Sequence, residues 1–136
     1  MPLLLDTYAM IWIVNGDPIS EKSQEQVRKV EAEGFGLNIS AITAWEIAML
    51  SEKGRIRLTS SPITWIKSAI SDTAMAVQPL SIDVLTQSAD LPGNAPSDPA
   101  DRMIIATARE HDLKLVTRDR RILDYGASGL VKVMAC

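Results

Sequence analysis

Four carboxylates stand where short apolar runs give way to polar residues. Asp6 directly follows Leu3-Leu4-Leu5, and Asp119 comes two residues after Leu115-Val116-Thr117. Asp101 lies in the stretch S-D-P-A-D-R-M-I-I, at the mouth of an apolar helix pattern. Glu46 sits inside A-W-E-I-A-M-L, an apolar setting in which an acid risks burial. Carboxylates drawn together repel one another, and some take up protons unless a cation holds them. An oxygen-only ligand set favours a hard ion, Mg²⁺ or Mn²⁺. A site of that kind hydrolyses phosphodiesters, because the ion activates water and offsets the charge that develops on phosphate. The one histidine, His111, and the one cysteine, Cys136, supply no zinc set.

Each acid also has a capping role open to it. Asp98 suits a helix N-cap, with Pro99 at the first helical position. Asp101 then falls at N3, where the helix dipole favours an acid. Asp6 and Asp119 could cap the helices that follow them, and Glu46 could face solvent. The chemical reading therefore rests on convergence of Asp6, Glu46, Asp101 and Asp119, with Asp98 chiefly starting a helix.

Convergence requires a sheet. Leu3-Leu4-Leu5 reads as a buried strand, followed by a helix from Asp6 to about Val14 that Gly16-Asp17-Pro18 breaks. A second helix runs from Ser20 to about Glu33, and a strand spans 35–39. Ser40 caps a helix to about Glu52, and Pro62 to about Ala74 is another. Val77–Leu80 contains Pro79 and belongs at a sheet edge. Helices over 82–89, 99–111 and 120–123 and strands over 113–117 and 130–134 complete the chain. Trp12, Trp45 and Trp65 lie on three helix patterns, where core packing is expected of each. Strands alternate with helices, as in an α/β fold with a mostly parallel sheet covered on both faces. In such sheets ligands bind beyond the carboxyl ends of the strands, where Asp6 and Asp119 stand.

The bulk numbers agree. Residues 1–136 fit a single domain, 46% hydrophobic and 23% charged. Leu3-Leu4-Leu5 is too short for a signal peptide or a membrane span. A lone cysteine permits no intrachain disulfide and fits a cytoplasmic protein. The net charge of −3 argues against a broadly basic nucleic-acid surface, but without the four acids it becomes +1. Arg102, Arg118, Arg120 and Arg121 adjoin two of these acids. Arg102 and Arg118 are the better candidates for phosphate contact, and Arg120-Arg121 reads equally well as a solvated run.

The segments L-L-L-D-T at 3–7, S-A-I-T-A-W-E at 40–46, D-P-A-D-R-M-I-I-A-T-A at 98–108 and L-V-T-R-D at 115–119 resemble, in order, those of the PIN-domain ribonucleases. Within that family the chain is most similar to the VapC toxins of toxin–antitoxin pairs. The resemblance implies a three-layer α/β/α fold and an Mg²⁺- or Mn²⁺-dependent endoribonuclease site built on Asp6, Glu46, Asp101 and Asp119. Asp98 matches an extra acid of one branch. Thr7, Ser40 and Thr117 match hydroxyl positions expected to hydrogen-bond the carboxylates. The resemblance also implies a homodimer and a small antitoxin lying in an apolar groove, for which Trp12 and Trp65 are candidates. The expected substrate is single-stranded or loop RNA, in tRNA or ribosomal RNA. Pro96 and Ala100 depart from the branch, which often has histidine and phenylalanine there.

Two alternatives remain on the residues alone. A receiver-like or phosphatase site would want a second acid beside Asp6, where the chain has Thr7 and Tyr8. A catalytically silent binding module of the same fold would need no working acids, and all four are present. No G-x-G-x-x-G or phosphate-binding loop follows any strand.

Overall fold

Leu3, Leu4 and Leu5 are all fully buried, so this strand (β1, Leu3–Leu5) has no solvent face. That is the position of a central strand in a parallel sheet. The computed structural model describes residues 1–34 and 36–136. In chain order the elements after β1 are α1 (Thr7–Asn15), α2 (Glu21–Ala32), β2 (Leu37–Ser40), α3 (Ala41–Glu52), α4 (Pro62–Thr73), β3 (Ala76–Gln78), α5 (Ile82–Ala89), α6 (Pro99–His111), β4 (Lys114–Thr117), α7 (Arg120–Ala127) and β5 (Val133–Ala135). The strands pair in the order β3-β2-β1-β4-β5, and every pairing is parallel. The mostly parallel α/β fold read from the sequence is the fold found.

Alternation along β1 divides the core. Leu3 and Leu5 pack with Met10, Val30, Ile39, Ile47 and Trp65 on one face. Leu4 packs with Val84, Ile104, Ile105, Leu115 and Ile122 on the other. Helices thus cover both faces, giving three layers. Among the described residues no helix is long and apolar enough to cross a membrane. The chain leaves β1 towards β2 on one side, while β4 pairs on the other. The crevice between β1 and β4 is therefore the switch point of the sheet.

Several boundaries differ from expectation. The strand expected over 35–39 begins at Leu37, and Phe35 lies outside the described residues. The edge strand is Ala76–Gln78 rather than 77–80, because Pro79 has no N–H to continue the ladder. The last strand is Val133–Ala135 rather than 130–134. Helix α7 extends well past 123, because Tyr125 buries its ring and donates its hydroxyl to the Pro92 carbonyl at 2.7 Å.

Trp45 is not a core residue. It is 56% exposed, because α3 buries Thr43, Ile47 and Leu50 and turns Trp45 away from that stripe. Trp65 is buried in the core and is no open groove residue. Trp12 is half-buried at the edge of the same cluster.

Gly126 lets α7 lie against β5. A Cβ there would overlap both Cγ atoms of Val133. Gly126→Ala is expected to lower stability by about 1–3 kcal/mol through overpacking. Adding Val133→Ala should recover part of that loss, as read by urea unfolding of the single and double variants. Equal unfolding midpoints for Gly126→Ala and the wild type would show that the contact is not tight.

Candidate active site

Three acids are placed by the backbone they cap. Asp6 ends β1 and is the N-cap of α1, its Oδ1 accepting from the Ala9 N–H at 2.8 Å. Asp98 is the N-cap of α6, with Pro99 in the first turn, and accepts from the Asp101 N–H at 2.9 Å. Asp119 is the N-cap of α7 and accepts from the Ile122 N–H at 3.0 Å. In each case a side-chain oxygen satisfies an amide that the helix cannot. Asp101 sits in the first turn of α6, its carboxylate free of the cap. The capping readings of Asp6, Asp98 and Asp119 therefore hold.

Glu46 is held differently. The Thr7 hydroxyl donates to its Oε1 at 2.6 Å, and the buried Thr43 hydroxyl stands 3.2 Å from that of Thr7. Thr43 was not singled out from the sequence. The signal was there, since Thr43 precedes Glu46 by three residues and shares its helix face. The Thr117 hydroxyl donates to the Asp6 Oδ2 and accepts from the Asp119 N–H, the latter at 3.0 Å. Ser40 does not reach a carboxylate. It is fully buried and caps α3, accepting from the Ile42 N–H at 3.2 Å.

Asp6, Glu46, Asp98, Asp101 and Asp119 line one cleft of about 410 Å³ together with Thr7, Tyr8, Trp12, Ile104 and Arg118. A larger hollow of about 600 Å³ lies between the 93–97 loop and α7. Asp124 is its one acid, so the chemistry selects the smaller cleft. Arg118 stacks over Trp12, its Cζ 3.9 Å from the ring centroid, and donates to the Pro18 carbonyl at 2.8 Å. Arg102 turns the other way. Its guanidinium donates to the carbonyls of Ser88 at 2.8 Å, Pro96 at 3.0 Å and Ala89 at 3.4 Å, so its fork holds the loop before α6 instead of facing the cleft. Arg120 and Arg121 are exposed and lie outside the cleft lining.

The carboxylates feel one another. The Asp101 carboxyl is pushed up to about 7, most of all by burial and then by Asp98, Asp119, Glu46 and Asp6 in that order of effect. Burial raises Glu46 also, against the Thr7 hydrogen bond and with help from Asp98 and Asp6. Burial raises Asp6 most of all its influences, opposed by hydrogen bonds from Thr117 and Ala9. Among the described residues no three acid, histidine or cysteine side chains stand close enough to clasp an ion between them.

The family model for the PIN domain matches residues 3–127. The chain belongs to the PIN-domain family. It is 32% identical over 125 residues to Ribonuclease VapC22 of Mycobacterium tuberculosis, an alignment spanning 90% of this chain and 91% of that one. The same PIN fold recurs in the crystal structure of VapBC2 from Rickettsia felis bound to a DNA fragment from their promoter. That likeness has a TM-score of 0.71 at 15% identity, covering 100% of this chain and 99% of that one. It recurs in FitAcB from Neisseria gonorrhoeae, with a TM-score of 0.64 at 22% identity over 98% and 96% of the two chains.

The raised Asp101 carboxyl has a consequence for stability. Unfolded, the group ionises near 3.8; folded, it keeps its proton up to about 7. Between those values the folded chain binds the extra proton, so stability of metal-free protein should fall as pH rises through the window. Asp101→Asn should flatten that slope and raise the thermal midpoint above pH of about 7. Thermal unfolding in chelator across the pH series checks it, and an unchanged slope in the variant would overturn it.

Proposed function

We propose that this chain is a metal-dependent endoribonuclease, the toxin of a toxin–antitoxin pair. The observation that carries the reading is the shared cleft at the β1/β4 switch point, where five carboxylates from four distant segments meet. The relative named as a ribonuclease covers nine-tenths of the chain and supports the same activity.

The donor set fits a hard cation. It is all oxygen, and its mutual repulsion is what a divalent charge would relieve. Asp6 and Asp101 would be its central ligands, with Glu46 and Asp119 reaching it through its waters. Since among the described residues no three side chains clasp an ion by themselves, an ion such as Mg²⁺, which keeps several of its waters, suits the spacing. When bound, it supplies Lewis acidity towards phosphate and a more acidic water.

The chain's own residues do the rest. Thr117 and the Ala9 amide fix both oxygens of Asp6. Thr7 fixes Oε1 of Glu46 and leaves Oε2 to take a proton from the attacking water. Burial raises that carboxyl, which makes it the better base. Arg118, beside Asp119, can meet a phosphate oxygen while one of its five N–H groups stays on Pro18. Arg102 acts by holding the loop that presents Asp98.

The partners follow from the same reading: an RNA substrate, of which tRNA and ribosomal RNA are the first to test, a second copy of the chain, and a small antitoxin. A toxin–antitoxin complex from Klebsiella pneumoniae has a similar fold, with a TM-score of 0.58 at 22% identity over 88% of this chain, and supports the antitoxin partner. An antitoxin with a basic side chain in the acidic cleft would block it.

The test is cleavage of a panel of tRNAs and ribosomal RNA hairpins with Mg²⁺, Mn²⁺ or EDTA. Cutting should require metal, and Asp101→Asn should lower its rate by at least about a hundredfold, the scale for losing one electrostatic stabiliser of a transition state. Metal binding without cutting would favour a silent binding module. No metal binding at all would overturn the site itself.

A further inference from the structure

One wall of the acidic cleft is aromatic, and nothing in the carboxylate chemistry uses it. Tyr8 and Trp12 are one helical turn apart on α1, with ring centroids 5.8 Å apart and planes tilted by 33°. The Arg118 guanidinium covers the Trp12 ring. The buried residues of α1 are Thr7, Ala9, Met10 and Ile11, so the core has no need of Tyr8, which is 43% exposed. Scattered exposed aromatics need no explanation. These two line the same cleft as the five acids, and Tyr8 is the residue after Thr7, which holds Glu46.

We propose that Tyr8 is a stacking platform for a nucleobase of single-stranded RNA, next to the phosphodiester that the carboxylates address, with Trp12 and Arg118 backing it. The proposal rests on the ribonuclease reading and adds how the strand is held. A base brings its phosphate with it, and Arg118 stands beside the rings with free N–H groups to meet that phosphate. Every base has a π-face, so stacking on Tyr8 positions the strand with little sequence preference. The tilt and the stacked guanidinium keep Trp12 from being the open surface; Tyr8 is the ring left for a ligand.

The test uses the whole protein with Mg²⁺ and an uncleavable 2′-O-methyl oligoadenylate, beside an abasic oligomer of the same length. Binding is read by anisotropy of an end label. Tyr8→Ala should weaken the adenylate oligomer about tenfold, the scale of one base–aromatic stack, and leave the abasic oligomer unchanged. Tyr8→Phe should bind as the wild type does, since the ring and not the hydroxyl is used. A 5-iodouridine oligomer should photocross-link to the peptide that carries Tyr8. Equal losses on both oligomers, or none on either, would overturn the platform. If Tyr8→Ala has no effect while Asp101→Asn still abolishes metal-dependent cutting, the platform falls and the ribonuclease stands. If the wild type binds neither oligomer and cuts no RNA, both fall.

Discussion

The Asp6 carboxylate is the constraint on which the rest of the site depends. It is almost fully buried at the end of the central strand, where an ionised acid is costly unless its oxygens are occupied. One oxygen takes the Ala9 amide and so starts α1; the other takes the Thr117 hydroxyl and so ties β1 to β4. The Asp6 amide donates to the Val116 carbonyl at 3.1 Å, extending the same seam. Thr117 then accepts from the Asp119 amide, which fixes where α7 begins. One buried charge thus sets a helix start, a strand pairing and the position of a second acid.

The same economy recurs at Asp98 and Asp119. A carboxylate placed near another would ordinarily swing away into solvent. A capping carboxylate cannot, because its helix would lose an amide partner. Helix N-termini also carry partial positive charge, which offsets some of the repulsion among the acids. Asp101 and Glu46 lack a cap, and they differ in consequence. Glu46 is restrained by the Thr7 and Thr43 hydroxyls, whereas Asp101 has its neighbours' charge and its own burial against it. Burial raises Asp6, Glu46 and Asp101 alike, but of the three only Asp101 has no hydrogen bond opposing the shift, so its cost is carried by the structure around it.

Much of this was legible in the chain. The buried β1, the edge position of β3 and the Asp98–Pro99 helix start follow from local chemistry that tertiary context did not override. Asp6, Asp101 and Asp119 were legible because each follows or opens an element whose end faces the same crevice, and Glu46 because it is an acid inside the apolar run of α3. What was hidden depended on side-chain direction. Arg102 and Arg118 look alike beside their acids, but α6 turns the first onto the carbonyls of Ser88 and Pro96 while the second reaches back to Trp12. Ser40 and Thr7 look alike as hydroxyls, but only Thr7 reaches a carboxylate. Trp45 follows the apolar pattern of α3, yet the helix has a narrow buried stripe and leaves it outside. The end of α7 was missed because Tyr125 and Gly126 find partners far away in sequence, at Pro92 and Val133.

The electrostatics of the cleft bear on how it would hold the proposed RNA strand. Five carboxylates repel a phosphate chain, and the nearby Arg118 cannot balance them alone. Attraction by general surface charge is also weak, for the whole chain carries −3. A strand entering such a cleft must gain its affinity from the cation, from directed contacts, or from surface that charge does not oppose. An aromatic face meets the last condition, because base stacking is indifferent to the sign of the neighbouring groups. The placement of Tyr8 and Trp12 on the cleft wall, two and six residues after the acid that starts their helix, answers the repulsion that the acids create. The same residues that must be crowded together for chemistry therefore explain why a neutral, flat surface belongs beside them.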